Sequence, residues 1–260
     1  MCTLILLHRP APGVRLLVAA NRDEYLDRPA AGPAIARRRD GAGVLAPRDL
    51  RAGGTWLGVN EAGVFAAVTN RPVRQPDRAL RSRGLLVLDA LDSDLAERAA
   101  ERLGALPADA YNPFNLVVAD GERAFAVLYD GAPRVTELAR GAHVVGNADP
   151  DDRSVAKIDR LLTSVEKVAA GPRGSWLEGL AEVCRGHEGE APLRAACVHH
   201  GGYGTRSSTL MQLDDDPAGS ALYFAEGPPC RTSYRDLTPL LHELPRTGGR
   251  AAATSLGGIA

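Results

Sequence analysis

The chain has 260 residues, a net charge of −1 and 45% hydrophobic residues, enough for one large domain or two small ones with a substantial core. With no basic tract and no acidic tail, there is no electrostatic case for a nucleic acid or a strongly basic partner. Four cysteines without CxxC spacing suggest neither a zinc site nor a disulfide framework, and Arg9-Pro10 cuts the run Leu4-Ile5-Leu6-Leu7 far short of a signal peptide or membrane span. The expectation is a soluble, cytoplasmic protein without stable membrane insertion.

Thr3 to Leu7 and Val14 to Ala20 are apolar, β-leaning runs around the turn chemistry of Arg9-Pro10-Ala11-Pro12-Gly13. They form a hairpin that lays the second run antiparallel beside the first. Cys2 stands directly before it. A side chain as small as cysteine normally lets the initiator Met1 be removed, which would leave a thiol and a free α-amine on one residue. Unshifted, these groups titrate near ~8.5 and ~7.7–8.0, close to the range useful for general-base chemistry. The alternative is that Cys2 is a small buried hydrophobe at the start of a strand.

Residues 25–54 are rich in Pro, Gly and Arg and read largely as loop, with Arg37-Arg38-Arg39 solvated beside Asp40. Strands are expected over Thr55 to Val59 and Val64 to Thr69, split by the tight turn Asn60-Glu61-Ala62-Gly63. Ser82 caps a helix through Leu85, Leu86, Leu88 and Leu91, and a second helix runs from Asp94 to Leu103 before Gly104. Strand patterns resume at Leu116 to Ala119, Ala124 to Tyr129 and Arg134 to Leu138. Ser154 to Val168 puts Val155, Ile158, Leu161, Leu162 and Val165 on one helical face, and Ser175 to Cys184 makes another helix. Thr205 to Leu213 and Ala221 to Ala225 form a last strand pair. Hairpins instead of βαβ crossovers predict antiparallel sheets covered by helices, an α+β layered fold. A single domain over 1–245 is expected, with 246–260 a disordered tail.

Three segments end on asparagine or carry it at a strand end. In Ala20-Asn21-Arg22-Asp23-Glu24 the two-residue period puts Asn21 and Asp23 on one face and Arg22 and Glu24 on the other. The hairpin brings this end near Cys2, so Asp23 could accept hydrogen bonds from a freed α-ammonium; the alternative is an ordinary surface charge cluster of little energetic weight. Asn60 and Gly63 are explained as turn formers, whereas the fold does not require asparagine at Asn70. Val144-Val145-Gly146-Asn147 again ends an apolar strand on asparagine. An amide at such a place can donate to a developing oxyanion or only make a turn. Cys197, His199 and His200 invite a metal reading, but the spacing is not that of a standard site and no fourth ligand is evident, so no metal is expected. Arg206 opens a strand and could neutralise an anionic group or be a surface arginine. Gly53-Gly54 has no phosphate-loop context, and loop geometry accounts for it.

Taken in order, Met1-Cys2-Thr3, Ala20-Asn21-Arg22-Asp23-Glu24, Arg28-Pro29, Gly53-Gly54-Thr55-Trp56-Leu57-Gly58, Gly146-Asn147 and Tyr203-Gly204-Thr205-Arg206-Ser207 resemble the NRDE-motif family, the proteins similar to transport and Golgi organisation protein 2. The likeness runs from residue 1 to about 240. It implies a branch of the N-terminal-nucleophile hydrolases, with the four-layer αββα sandwich of two antiparallel sheets between helices. The bile-salt hydrolases and penicillin V acylases show a similar pattern. By that resemblance Cys2 would be the nucleophile, its own amine the base, and Asp23 the holder of the amine. The Asn70 backbone N–H and the Asn147 side chain would form the oxyanion hole, with Asn21, Arg22 and Arg206 toward the substrate.

One position departs from the acylase pattern: the arginine three residues before the aspartate is here Ala20, while alternation turns Arg22 away from Cys2. The leading expectation is a cysteine amidohydrolase or acyl-transfer enzyme on a small amide, ester or thioester, with no cofactor. The rival is a non-catalytic protein on the same fold that binds or moves an acyl compound, a lipid or haem, ligands to which the resemblance also points.

Overall fold

Alternation along the first hairpin sets the direction of every layer. β1 (Thr3–Ala11) and β2 (Val14–Tyr25) pair antiparallel, with Leu4 opposite Ala20 and Thr3 opposite Asn21. Successive strand residues point to opposite faces. Leu4, Leu6, Leu16, Val18 and Ala20 therefore enter one apolar cluster, while Ile5, Leu7, Leu17 and Ala19 enter another. Both faces of the hairpin are buried, which is why its sequence reads as a near-continuous apolar run. Each fully buried leucine or isoleucine contributes roughly 1.5–3 kcal/mol, and these two strands hold six of them at 2% exposure or less together with Val14 and Val18.

The computed structural model describes residues 2–37, 42–188 and 192–244. Met1 and the expected tail over 246–260 lie outside the described residues. Among those described, one sheet has the order β10 (Gly141–Val145), β1, β2, β12 (Tyr203–Asp214), β13 (Ala221–Ala225), β14 (Arg235–Asp236), with the two-residue β11 (His199–His200) paired to β12. The other is a sequential meander: β3 (Ala30–Arg37), β4 (Gly43–Asp49), β5 (Leu57–Asn60), β6 (Phe65–Asn70), β7 (Phe114–Ala119), β8 (Ala124–Tyr129) and β9 (Pro133–Leu138). All their pairings are antiparallel.

The inner faces of the two sheets meet where Leu4, Leu6 and Val18 pack with Val59, Phe65, Ala67 and Val117. On the far side of the meander, α1 (Arg83–Ala90) and α2 (Ala96–Gly104) set Leu86, Val87 and Leu103 against Val68, Phe114 and Leu116. On the far side of the first sheet, α3 (Ala156–Ala169) and α4 (Trp176–Arg185) set Ile158, Val165, Trp176 and Leu180 against Ile5, Leu7 and Leu17. The layers run helix, sheet, sheet, helix: the αββα sandwich. A short α5 (Thr238–Glu243) follows β14 and puts Leu241 into the inter-sheet cluster.

Two local features differ from the sequence reading. Residues 25–54 are not mainly loop, because β3 and β4 occupy much of them. β3 is an edge strand whose register slips between Ala31 and Ala34 around Pro33, and an edge is where proline is tolerated in a sheet. The Gly54 position is more than loop geometry. A Cβ there would meet the Gly84 carbonyl carbon at 2.3 Å, and the Thr55 N–H donates to the Gly84 carbonyl at 3.0 Å. That close approach seats the start of α1, capped by Ser82, against the segment that runs through Trp56 into β5 and so builds one wall of the site below.

Candidate active site

Extending the β1–β2 register by one residue sets Cys2 across from Arg22, and directly opposed residues share a face. A cleft of about 110 Å³ opens there, between the end of the first hairpin and the start of α1, lined by Cys2, Arg22, Glu24, Trp56, Asn70 and Arg83 among others. The Arg22 guanidinium lies 4.2 Å over the Trp56 ring and 3.4 Å from Asp49. Asp49 accepts from Arg28 at 2.7 Å and from the backbone N–H groups of Arg51 and Ala52 at 3.0 Å. Burial opposes its charge, but the bonds from Ala52 and Arg28 hold its carboxyl below the usual range. Arg83 donates to the Pro113 carbonyl at 2.9 Å. Burial lowers its pKa and that of Arg22.

The Cys2 thiol is half-buried and sits 3.9 Å from the Asp23 carbonyl oxygen. Burial pushes it above the ordinary thiol value and the Asp23 charge adds to this, while the charge of Arg22 acts the other way. A thiol so placed needs a base to become a nucleophile.

The neighbouring residues of β2 face the opposite side. Asn21 is 2% exposed and its amide donates to the Cys184 carbonyl at 2.8 Å and the Ala196 carbonyl at 2.9 Å. Asp23, also 2% exposed, accepts from the Thr205 hydroxyl at 2.6 Å through Oδ1, while its buried Oδ2 has no hydrogen-bond partner. Burial pushes its carboxyl up to about 6, against the opposing charge of Lys157 and the Thr205 bond. Lys157, on the first turn of α3, has a buried Nζ that is likewise without a hydrogen bond, and burial lowers its pKa. A carboxylate oxygen left unpaired in the interior is costly.

The strand-end asparagines come together. The Asn147 side-chain amide donates to the Asn70 carbonyl, the Thr69 hydroxyl to the Gly146 carbonyl at 2.6 Å, and the Asn115 amide to the Ala148 carbonyl at 2.7 Å. The loop after β10 is thereby fastened to the ends of β6 and β7. Asn60 does more than turn the chain: its amide caps the Leu91 and Ser93 carbonyls at 2.8 and 2.7 Å.

Of the residues singled out in the sequence, Cys2, Arg22, Asp23 and Asn70 line one cleft, while Asn147 is not among the lining residues and donates to the Asn70 carbonyl beside it. Three expectations are corrected. Arg22 faces Cys2 and is not turned away, because the register places position 22, like position 20, on the thiol's side. Asn21 does not reach the cleft, since both its amide hydrogens are spent on buried carbonyls. Arg206 sits at the β12 bulge between Thr205 and Ser207 and is not among the lining residues. Cys197 and His199 do meet, but with His187 and Cys230, while His200 stays outside the cluster. Sequence reasoning missed Arg83, Thr205 and Lys157. Only Lys157 left a signal, a lysine at the i−4 position of the buried stripe Leu161 and Val165.

The family model described as Transport and Golgi organisation 2 matches residues 1–226. The Bos taurus protein named Transport and Golgi organization protein 2 homolog is 31% identical over 253 residues, covering 83% of this chain and 90% of its own. The Homo sapiens homolog is 29% identical with the same coverage. Among solved structures, the N-acylethanolamine-hydrolyzing acid amidase ortholog of Caenorhabditis elegans is similar with a TM-score of 0.56 at 14% identity, over 81% of this chain and 92% of that one. Penicillin V acylase from Agrobacterium tumefaciens gives 0.57 at 15% identity, over 92% and 86%. At such identities the likeness is one of fold.

Proposed function

The chain belongs to the Transport and Golgi organisation 2 family, and from that premise and the geometry around Cys2 we propose that it is a cysteine amidohydrolase or acyl-transfer enzyme acting on a small amide, ester or thioester. The observation that carries the reading is the buried, unpartnered Oδ2 of Asp23 beside the first hairpin. Once Met1 is removed, the α-ammonium of Cys2 would be that oxygen's partner, and its neutral form would be the base.

In this mechanism the α-amine takes the thiol proton and the thiolate attacks the substrate carbonyl carbon. Collapse breaks the bond to the leaving amine, alcohol or thiol, which receives the proton from the α-ammonium, and leaves an acyl group on sulfur. Water or another acceptor then attacks the acyl carbon, passes its proton to the α-amine, and the thiol is restored. The Asn70 N–H and one amide hydrogen of Asn147 would serve the oxyanion. Arg22 supplies positive charge beside the thiol in place of the arginine that Ala20 lacks. The guanidiniums of Arg22, Arg28 and Arg83, set among Glu24 and Asp49, favour a small polar head on the substrate over an extended apolar ligand.

The test is intact-mass analysis of the purified chain with a panel of small amides, esters and thioesters, run beside Cys2→Ala. Loss of Met1, an acyl adduct on Cys2 and turnover that vanishes in Cys2→Ala are expected. Turnover that survives in Cys2→Ala would end the proposal.

A further inference from the structure

On the helix side of β2, away from the cleft, lies a cluster that the chemistry above does not use. His187 follows α4, Cys197 and His199 lead into and form β11, and Cys230 follows β13, yet one ligand atom from each lies within 4.8 Å of all the others. The two sulfurs are 3.6 Å apart, and His199 Nε2 is 3.7 Å from Cys197 Sγ and 3.2 Å from Cys230 Sγ. Around one tetrahedral zinc-type ion, bond lengths of about 2.3 Å to sulfur and about 2.0–2.1 Å to nitrogen put two sulfurs about 3.8 Å apart and a sulfur and nitrogen about 3.6 Å apart. The observed spacings match that figure and not a disulfide, whose sulfurs would be about 2.0 Å apart. Both thiols are free.

The surroundings are also those of a ligand set. His187 Nδ1 lies 3.1 Å from the Cys197 carbonyl. That bond requires hydrogen on Nδ1 and leaves the Nε2 lone pair free, the usual way an outer partner fixes a metal-binding imidazole. The donors are two sulfurs and two nitrogens, the set that selects zinc over the hard oxygen-seeking cations. Four protein ligands close the tetrahedron, which makes a structural site and not one with an open reactive position.

We propose that His187, Cys197, His199 and Cys230 bind a single zinc-type divalent cation, and that the ion clamps the segment 196–199 behind β2. Binding would release one proton from each thiol and leave the imidazoles neutral. The segment it would fix is the one that backs the site. The Ala196 carbonyl accepts from Asn21, the Val198 N–H donates to Thr205 Oγ1 at 2.8 Å, and that hydroxyl donates to Asp23. The clamp is independent of whether Cys2 turns anything over.

The experiment is metal analysis of the full chain purified under reducing conditions, followed by chelation and reconstitution with cobalt. A single equivalent of zinc is expected in the protein as isolated, and cobalt should give the intense absorption of a tetrahedral thiolate complex. His187→Ala and Cys230→Ser, both outside the core, should fold as judged by circular dichroism and lose affinity by more than the ~10–100-fold typical of outer-shell changes. His200→Ala should keep the metal. Amide exchange over 196–205 should quicken on chelation. No stoichiometric zinc or cobalt, equal binding by His187→Ala and Cys230→Ser, unchanged amide exchange, or a Cys197–Cys230 disulfide in freshly reduced-purified protein would each overturn the proposal.

Discussion

The two faces of β2 near its end carry four consecutive polar residues to opposite fates. Arg22 and Glu24 look into the cleft with Cys2, where charges are paired but partly wet. Asn21 and Asp23 look toward the helices, where each is 2% exposed and held by Cys184, Ala196 and Thr205. The cleft face can meet a substrate. The helix face fixes the frame from which the cleft hangs, and it holds the buried Asp23 Oδ2, which has no hydrogen-bond partner. A motif that reads as one unit in sequence therefore works as two, and substitutions on the two sides should fail in different ways.

Asp23→Asn belongs to the frame but should act on the chemistry, and it is the largest effect expected. Without the carboxylate the α-amine is neither anchored nor tuned, so kcat should fall by about 10²–10⁴ with KM little changed. The same position has a stability reading. In a chain that keeps Met1, the Asp23 carboxyl sits at about 6, above the ~3.9 of an unfolded aspartate. Between those values the native state holds a proton that the unfolded state has released, so the contribution of Asp23 to stability is greatest below pH 4 and falls as pH rises through about 6, by on the order of 3 kcal/mol. Asp23→Asn should abolish that slope. In the processed chain the ammonium supplies the missing partner, and the wild-type slope should flatten. Thermal melts from pH 4 to 8 on the two N-termini check both statements; a slope unaffected by either change would refute the pairing.

Asn21→Ala should break the frame without touching the cleft. It strips two buried backbone carbonyls of their donor, at about 1–3 kcal/mol each. A denaturant midpoint lowered by the equivalent of about 2–4 kcal/mol is expected, with kcat of the remaining folded protein near wild type. A loss of kcat without loss of stability would return Asn21 to the cleft. Arg22→Met is the mirror case. The Trp56 stack is kept in part by an apolar side chain, so folding should hold, while the thiol loses one of the charges that oppose its upward shift. The rate of Cys2 alkylation at neutral pH should drop. An unchanged rate would mean the guanidinium does not act on the thiol.

The layered fold was legible because periodicity is a local property. The hairpin 3–20, the turn at 60–63 and the helices after Ser82 and Ser154 each announce themselves within a dozen residues. β3 was not, because Pro33 and the alanines around it describe an exposed edge, where there is no buried face to write an alternating pattern. In the site, Cys2, Asp23, Asn70 and Asn147 were visible as strand-end residues carrying more chemistry than a turn needs. What failed was the side on which Arg22 and Asn21 lie. Whether Arg22 faces Cys2 depends on the pairing of Thr3 with Asn21, and a one-residue slip would reverse it. His187 and Cys230 are 43 residues apart in number, and only the packing of α4 and the β13 exit around β12 brings them together. Spacing rules written for short motifs cannot see such a set.

Lys157 joins the two faces, and its removal should give the smallest effect. Its Nζ is buried without a hydrogen bond, and burial holds its pKa below the ordinary lysine value while the charges of Asp23 and Cys2 pull the other way. A lysine whose native pKa is depressed destabilises the fold where it is charged, at neutral pH, and less so as alkaline pH removes the proton in both states. Lys157→Met keeps the length and drops the charge, so stability at pH 7 should rise by no more than about 1 kcal/mol, with the gain shrinking above pH 10. The informative readout is elsewhere. Because the lysine charge lowers the Asp23 pKa, its loss should move that carboxyl upward and shift the acid limb of the pH–rate profile to higher pH by less than about one unit. An acid limb that does not move would show that the helix-side cation is a packing remnant, and that Asp23 answers only to Thr205 and the chain's own amine.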